Sequence, residues 1–300
     1  MSTDTVVINE VGLRDGLQSQ PKHLSLDERE RLARALLATG IQHFEIGSFV
    51  SPKAVPQMAG TGDLVARLTP PPGVAFSALV PNMKGYELAR AAGVDRVAVV
   101  VSATETMNQR NIKMSLDETF AVAEAVIQRG AGEGARVQAY LAVAFECPFE
   151  GPTPPAIVRE QAARLLELGA DEVVISDTIG AANPAAVRDL LDALVAAHGA
   201  QRLACHFHDT RAMALANVFA AVESGVRRFD SSVGGLGGCP FAPGAKGNVA
   251  TEDVAMLCEA MGLSTGVDMR ALLAAVDTVS ELIGAPQGGR AHYWLSNNAA

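Results

Sequence analysis

Short, mostly β-branched apolar runs alternate with longer amphipathic stretches along almost the whole chain. The runs are VVINEV (6–11), HFEIGS (43–48), VAFSALV (74–80), RVAVVV (96–101), RVQAYLAV (136–143), EVVIS (172–176), RLACHF (202–207) and RRFDSS (227–232). Between them, residues 26–39, 116–129 and 184–198 carry apolar side chains at helical spacing. Gly40, Gly93, Gly130, Gly169 and Gly225 each close a helical pattern just before the next run. Strands this apolar need cover on both faces, so the pattern predicts a parallel sheet wrapped by helices. Eight strand–helix units in about 250 residues suit a closed (β/α)8 TIM barrel, with a doubly wound open sheet as the competing architecture. No linker or charge block divides the chain. A single catalytic domain over 1–300 is expected, with the barrel over about 6–250. One or two helices over about 251–284 are expected to cap it, with a loosely ordered end from Gln287.

Composition narrows the partners. The formal charge of −9 opposes general nucleic-acid binding, which needs a basic surface to displace counterions. No apolar run approaches the ~20 residues of a membrane span. The start, MSTDTVVINE, enters a strand pattern at once and lacks secretory and transit features, so the cytosol is the expected compartment. Cys147, Cys205, Cys239 and Cys258 are scattered, which fits neither a disulfide framework nor a thiolate zinc knot.

In a barrel of this kind, functional groups sit at the carboxyl ends of the strands. That rule collects Arg14 and Asp15 after strand 1, Glu45 in strand 2, and Asp177 and Thr178 after strand 6. Strand 7 contributes His206 and His208, and Cys239 and Asn248 lie in the loop after strand 8. Residues two apart on a strand share a face, so His206 and His208 point together and can clamp a metal; a plain polar strand end is the competing interpretation. Two imidazoles, the Asp15 carboxylate and the Asn248 amide oxygen make a mixed N/O set that suits Mg²⁺ or Mn²⁺. Cys239 as a fourth zinc ligand is the alternative. Glu45 interrupts an apolar strand, and a buried carboxylate needs a partner; Arg14 is the natural one. Asp177 and Thr178 suit a helix cap as well as a catalytic role.

Residues 232–248 hold six glycines and two prolines, too many for a helix or regular strand. Five residues separate Gly238 from Gly244, and Ala245 precedes Lys246, so phosphate-loop spacing fails; Pro240 breaks a dinucleotide fingerprint. A flap over the mouth remains, with Cys239 near its tip as a proton donor.

EVGLRDGLQ (10–18), SFVSPKAVPQM (48–58), HFHDT (206–210) and SVGGLGGCPFAPGAKGNVATED (232–253) resemble the 3-hydroxy-3-methylglutaryl-CoA lyase family, within the barrel metallolyases named for an Asp-Arg-Glu triad. The resemblance runs from about 6 to 284. It places the triad on Asp15, Arg14 and Glu45, the divalent metal on Asp15, His206, His208 and Asn248, and the flap thiol on Cys239. It implies cleavage of 3-hydroxy-3-methylglutaryl-CoA to acetyl-CoA and acetoacetate. His206 is the first candidate base with Asp177 assisting, Arg14 holds the thioester enolate, and Cys239 protonates it. Arg14 and Thr178 are the expected substrate contacts, and a homodimer is implied. Citramalyl-CoA or a longer 3-hydroxy-3-alkylglutaryl-CoA is the alternative substrate, and a condensing synthase the more distant one. Gly47 and Ala54 stand where the family more often has a threonine and an aromatic residue, which predicts a wider acyl pocket.

Overall fold

The computed structural model describes residues 4–238 and 247–298. Eight parallel strands form a closed barrel: β1 (Val7–Glu10), β2 (His43–Ser48), β3 (Ala75–Leu79), β4 (Arg96–Ser102), β5 (Arg136–Ala142), β6 (Glu172–Asp177), β7 (Leu203–Phe207) and β8 (Arg228–Ser231). Neighbours in sequence pair around the ring, and β8 closes it on β1 from Val7 opposite Arg228 to Glu10 opposite Ser231. The expected strands all form, each end within a residue of its predicted place, and the open sheet is excluded.

Local chemistry explains the helices. Leu26–Leu37 and Leu116–Gly132 both start at a serine, Ser25 and Ser115, whose hydroxyl accepts from the amide of a glutamate three residues on. Glu28 and Glu118 return the bond to the serine amides, satisfying donors the helix leaves open. Gly130 does not stop its helix, which continues to Gly132. A Cβ at Gly130 would lie 2.6 Å from Val137, so this glycine lets the helix approach β5.

The main core lies between strands and helices, while Ala98, Tyr140, Val174 and Ala204 form a separate layer inside the barrel. Side chains alternate along each strand. Tyr140, Val174 and Ala204 point inward, and so therefore do Ser176 and His206 two residues further on.

Beyond the barrel stand helices Thr251–Ala260, Met269–Ile283 and, against expectation, His292–Asn298. The tail is held rather than loose. The Gly289 amide donates to Glu252, the Arg290 and Ala291 amides donate to Asp253, and the Arg290 guanidinium pairs with Asp209 at 2.9 Å. Buried carboxylates at the start of a helix need donors, and the tail supplies them. Among the described residues no helix is long and apolar enough to cross a membrane.

Candidate active site

At its carboxyl end β1 runs into a five-residue π-helical turn, Gly12–Gly16, that carries Arg14 and Asp15. Such wide turns are uncommon and gather at functional sites. Glu10, which the sequence did not single out, anchors this one. Its buried carboxylate accepts from the Gly12 and Val233 amides at 2.7 and 3.0 Å and from the Thr251 hydroxyl at 2.6 Å. Beneath the turn, β2 slips by one residue against β3 between Glu45 and Gly47, a bulge of the kind that re-aims side chains.

Arg14 binds two carboxylates at once. Its Nε donates to Glu45 Oε2 and its Nη1 to Asp15 Oδ1, each at 2.6 Å. Glu45 is fully buried and Arg14 nearly so. Burial pushes Glu45 up to about 7 while Arg14 opposes the shift, and the other carboxylate oxygen, Oε1, has no hydrogen-bond partner among the described residues. For Asp15, burial is the largest influence and raises its pKa, but Arg14, His206 and His208 together hold it well below the ordinary carboxylate value. It is ionised.

Opposite Asp15 stand the two histidines. Donor atoms of Asp15, His206 and His208 lie within 4.8 Å of one another, and the two Nε2 atoms are 3.0 Å apart. His206 Nδ1 meets the Asp230 carboxylate at 3.0 Å. Burial, then His206, lowers His208 to about 4, so His208 is neutral at pH 7. Asn248 turns its Nδ2 to Asp15 Oδ2 at 2.8 Å and to the Leu236 carbonyl, while its buried Oδ1 has no partner among the described residues. Two close imidazole nitrogens, an ionised carboxylate and an amide oxygen fit a divalent cation, which would also satisfy the orphaned Asn248 Oδ1. With both ring nitrogens engaged, His206 is not free to be a base as well as a ligand.

These groups open into a cavity of about 590 Å³, whose lining includes Arg14, Asp15, Ala54, Thr178, His206 and His208. Asp177 is not brought there. Ser176 faces inward, so Asp177 faces out, where its carboxylate accepts from the Ala181 and Ala182 amides at 2.8 and 3.1 Å. Those amides belong to the loop before the helix Pro184–His198, which Asn183 caps, so Asp177 braces the loop and caps no helix; burial pushes the group up to about 6. Thr178 lines the cavity, yet its hydroxyl accepts from the Val143 amide at 2.8 Å. Val143 has a φ of 52°, costly for a β-branched residue, so Thr178 helps hold a strained corner of the mouth. Cys239 lies outside the described residues.

Ala54 borders the cavity, but Gly47 does not widen it. A Cβ on Gly47 would lie 2.5 Å from the Thr61 hydroxyl, which already fills that space. Gly47→Thr is therefore expected to destabilise the fold by about 1–3 kcal/mol through overpacking. Urea unfolding of the variant checks this, and an undiminished stability would refute it.

Comparison with known proteins agrees with this geometry. The HMGL-like family model matches residues 5–279. The hydroxymethylglutaryl-CoA lyase of Pseudomonas mevalonii is 44% identical over 295 residues, with 98% of each chain covered. The 3-hydroxy-3-isohexenylglutaryl-CoA/hydroxymethylglutaryl-CoA lyase of Pseudomonas aeruginosa is 43% identical over 282 residues, with 94% of each covered. A solved HMG-CoA lyase from Acinetobacter baumannii, in complex with coenzyme A and 3-methylmalate, superposes with a TM-score of 0.93 at 35% identity. That match covers 99% of this chain and 96% of the other.

Proposed function

The chain belongs to the HMGL-like family, and from that premise we propose that it cleaves 3-hydroxy-3-methylglutaryl-CoA to acetyl-CoA and acetoacetate. The observation that carries this is the Asp15–Arg14–Glu45 chain of ion pairs, whose Arg14 and Asp15 line one cavity with His206 and His208. We further propose a single catalytic domain and, as the family resemblance implies, a homodimer.

Asp15, His206, His208 and Asn248 are the residues that would hold Mg²⁺ or Mn²⁺. A divalent ion bound there would polarise the substrate hydroxyl and carboxylate. Arg14, fixed by Glu45 on one side and Asp15 on the other, presents a permanent cation to the thioester oxygen and stabilises the enolate as the C2–C3 bond breaks. Cys239 remains the proposed donor that protonates the enolate carbon.

Acetyl-CoA release from 3-hydroxy-3-methylglutaryl-CoA should be fast with Mg²⁺ or Mn²⁺, stop on addition of a chelator, and return when the metal is restored. Absent release from folded, metal-loaded protein that still cleaves a longer 3-alkyl analogue would move the acyl group and keep the chemistry.

A further inference from the structure

We propose that Asp230 is the positioning residue that fixes the His206 imidazole in the tautomer and orientation a metal ligand needs. The inference rests on Asp15, His206 and His208 being ion ligands. Asp230 stands beside His206 across the β7–β8 ladder, their Cα atoms paired in register, and it is 2% exposed. Three donors converge on its carboxylate. Asn9 Nδ2 reaches Oδ1 at 2.8 Å, while the Tyr140 hydroxyl and His206 Nδ1 reach Oδ2 at 2.7 and 3.0 Å.

With the Asn9 amide and the Tyr140 hydroxyl both donating to it, the Asp230 carboxylate serves as an acceptor. A hydrogen bond from His206 Nδ1 therefore puts the ring proton on Nδ1 and leaves the lone pair on Nε2, the atom that faces His208 Nε2 at 3.0 Å. The Tyr140 ring packs edge-on against the same imidazole, with centroids 6.1 Å apart and planes at 77°, so Tyr140 braces His206 directly and through the shared carboxylate. His208 has no such partner; its buried Nδ1 makes no hydrogen bond among the described residues. The protein thus sets the tautomer of one imidazole of the pair. Nothing in the proposed bond cleavage uses Asp230, Tyr140 or Asn9. Outer carboxylates that orient a ligating histidine raise its basicity and hold its ring.

The competing account is that Asp230, Tyr140 and Asn9 only plug the barrel interior. Asp230→Asn separates the two. An amide offers one acceptor oxygen and two N–H groups to a site built from three donors, so some donor must give way. The Tyr140 hydroxyl can turn and accept; His206 can accept at Nδ1 only by moving its proton to Nε2, which occupies the lone pair a metal would use. The same wrong-tautomer logic applies when the aspartate of a catalytic triad is replaced by asparagine.

Two measurements test this. Mn²⁺ titration followed by electron paramagnetic resonance should show D230N binding about 10–100-fold more weakly than the wild type. Nitrogen-15 spectra of histidine-labelled, metal-free protein should show neutral His206 protonated at Nδ1 in the wild type and shifted toward Nε2 in the variant. A plug role would move stability and leave both readouts alone. Wild-type affinity in D230N overturns the proposal and leaves the ligand set standing. An Nε2-protonated His206 in the wild type overturns it whether or not the variant folds. A wild-type protein that binds no Mn²⁺ would remove the ligand set itself, and the proposal with it.

Discussion

Arg14→Met is expected to lower kcat on 3-hydroxy-3-methylglutaryl-CoA by about 10²–10³-fold while the protein still binds Mn²⁺, on the scale of losing a principal oxyanion donor. Methionine keeps the length and packing of the side chain and removes all of its donors. The developing enolate oxygen then faces no cation. The substitution also strands the Glu45 carboxylate, whose only hydrogen-bond partner among the described residues is Arg14. A fully buried carboxylate without a counterion takes up a proton rather than stay charged, which limits the damage to the fold. Arg14→Lys should keep part of the activity, because one ammonium can hold Glu45 or Asp15 but not both in the geometry of the guanidinium. Steady-state kinetics beside Mn²⁺ titration separates chemistry from metal binding. Unchanged turnover in Arg14→Met would sink the role given to Arg14.

His208→Ala is expected to weaken Mn²⁺ binding by more than about 100-fold, since removing a ligand costs more than disturbing a group behind one. The wild-type protein should gain thermal stability as Mn²⁺ is added, by about 2.7 kcal/mol at a hundredfold excess over Kd, and the variant should show almost no gain over the same range. The absence of that difference would take His208 out of the ligand set.

Much of this arrangement was legible in the residues. Strand positions followed from β-branched runs bounded by glycines, because a barrel strand buried on both faces leaves few other patterns available. Glu45 drew attention as a carboxylate in an apolar strand, and its partner proved to be Arg14. Applied to RRFDSS, the same rule points to Asp230, yet polar neighbours on both sides disguised it as a strand end. Tyr140 was hidden because it is apolar enough to pass for core, and its partner Asp230 lies 90 residues away. Asp177 was misplaced by strand parity: one residue decides whether a strand-end carboxylate faces the cavity or the loop outside it. Gly47 was misjudged because the side chain that fills its space, Thr61, belongs to the following helix.

The ring closes between its first strand and its last, and that seam has a consequence for how the protein comes into being. Asn9 meets Asp230 across 221 residues, and Asp15 meets Asn248 across 233. A chain still emerging from the ribosome therefore owns half of each polar cluster and none of the finished one. Such long-range pairings form late and slowly. Competence to take up a metal should accordingly arrive as a single event near the end of maturation, which makes ion uptake a clock for the final step of folding.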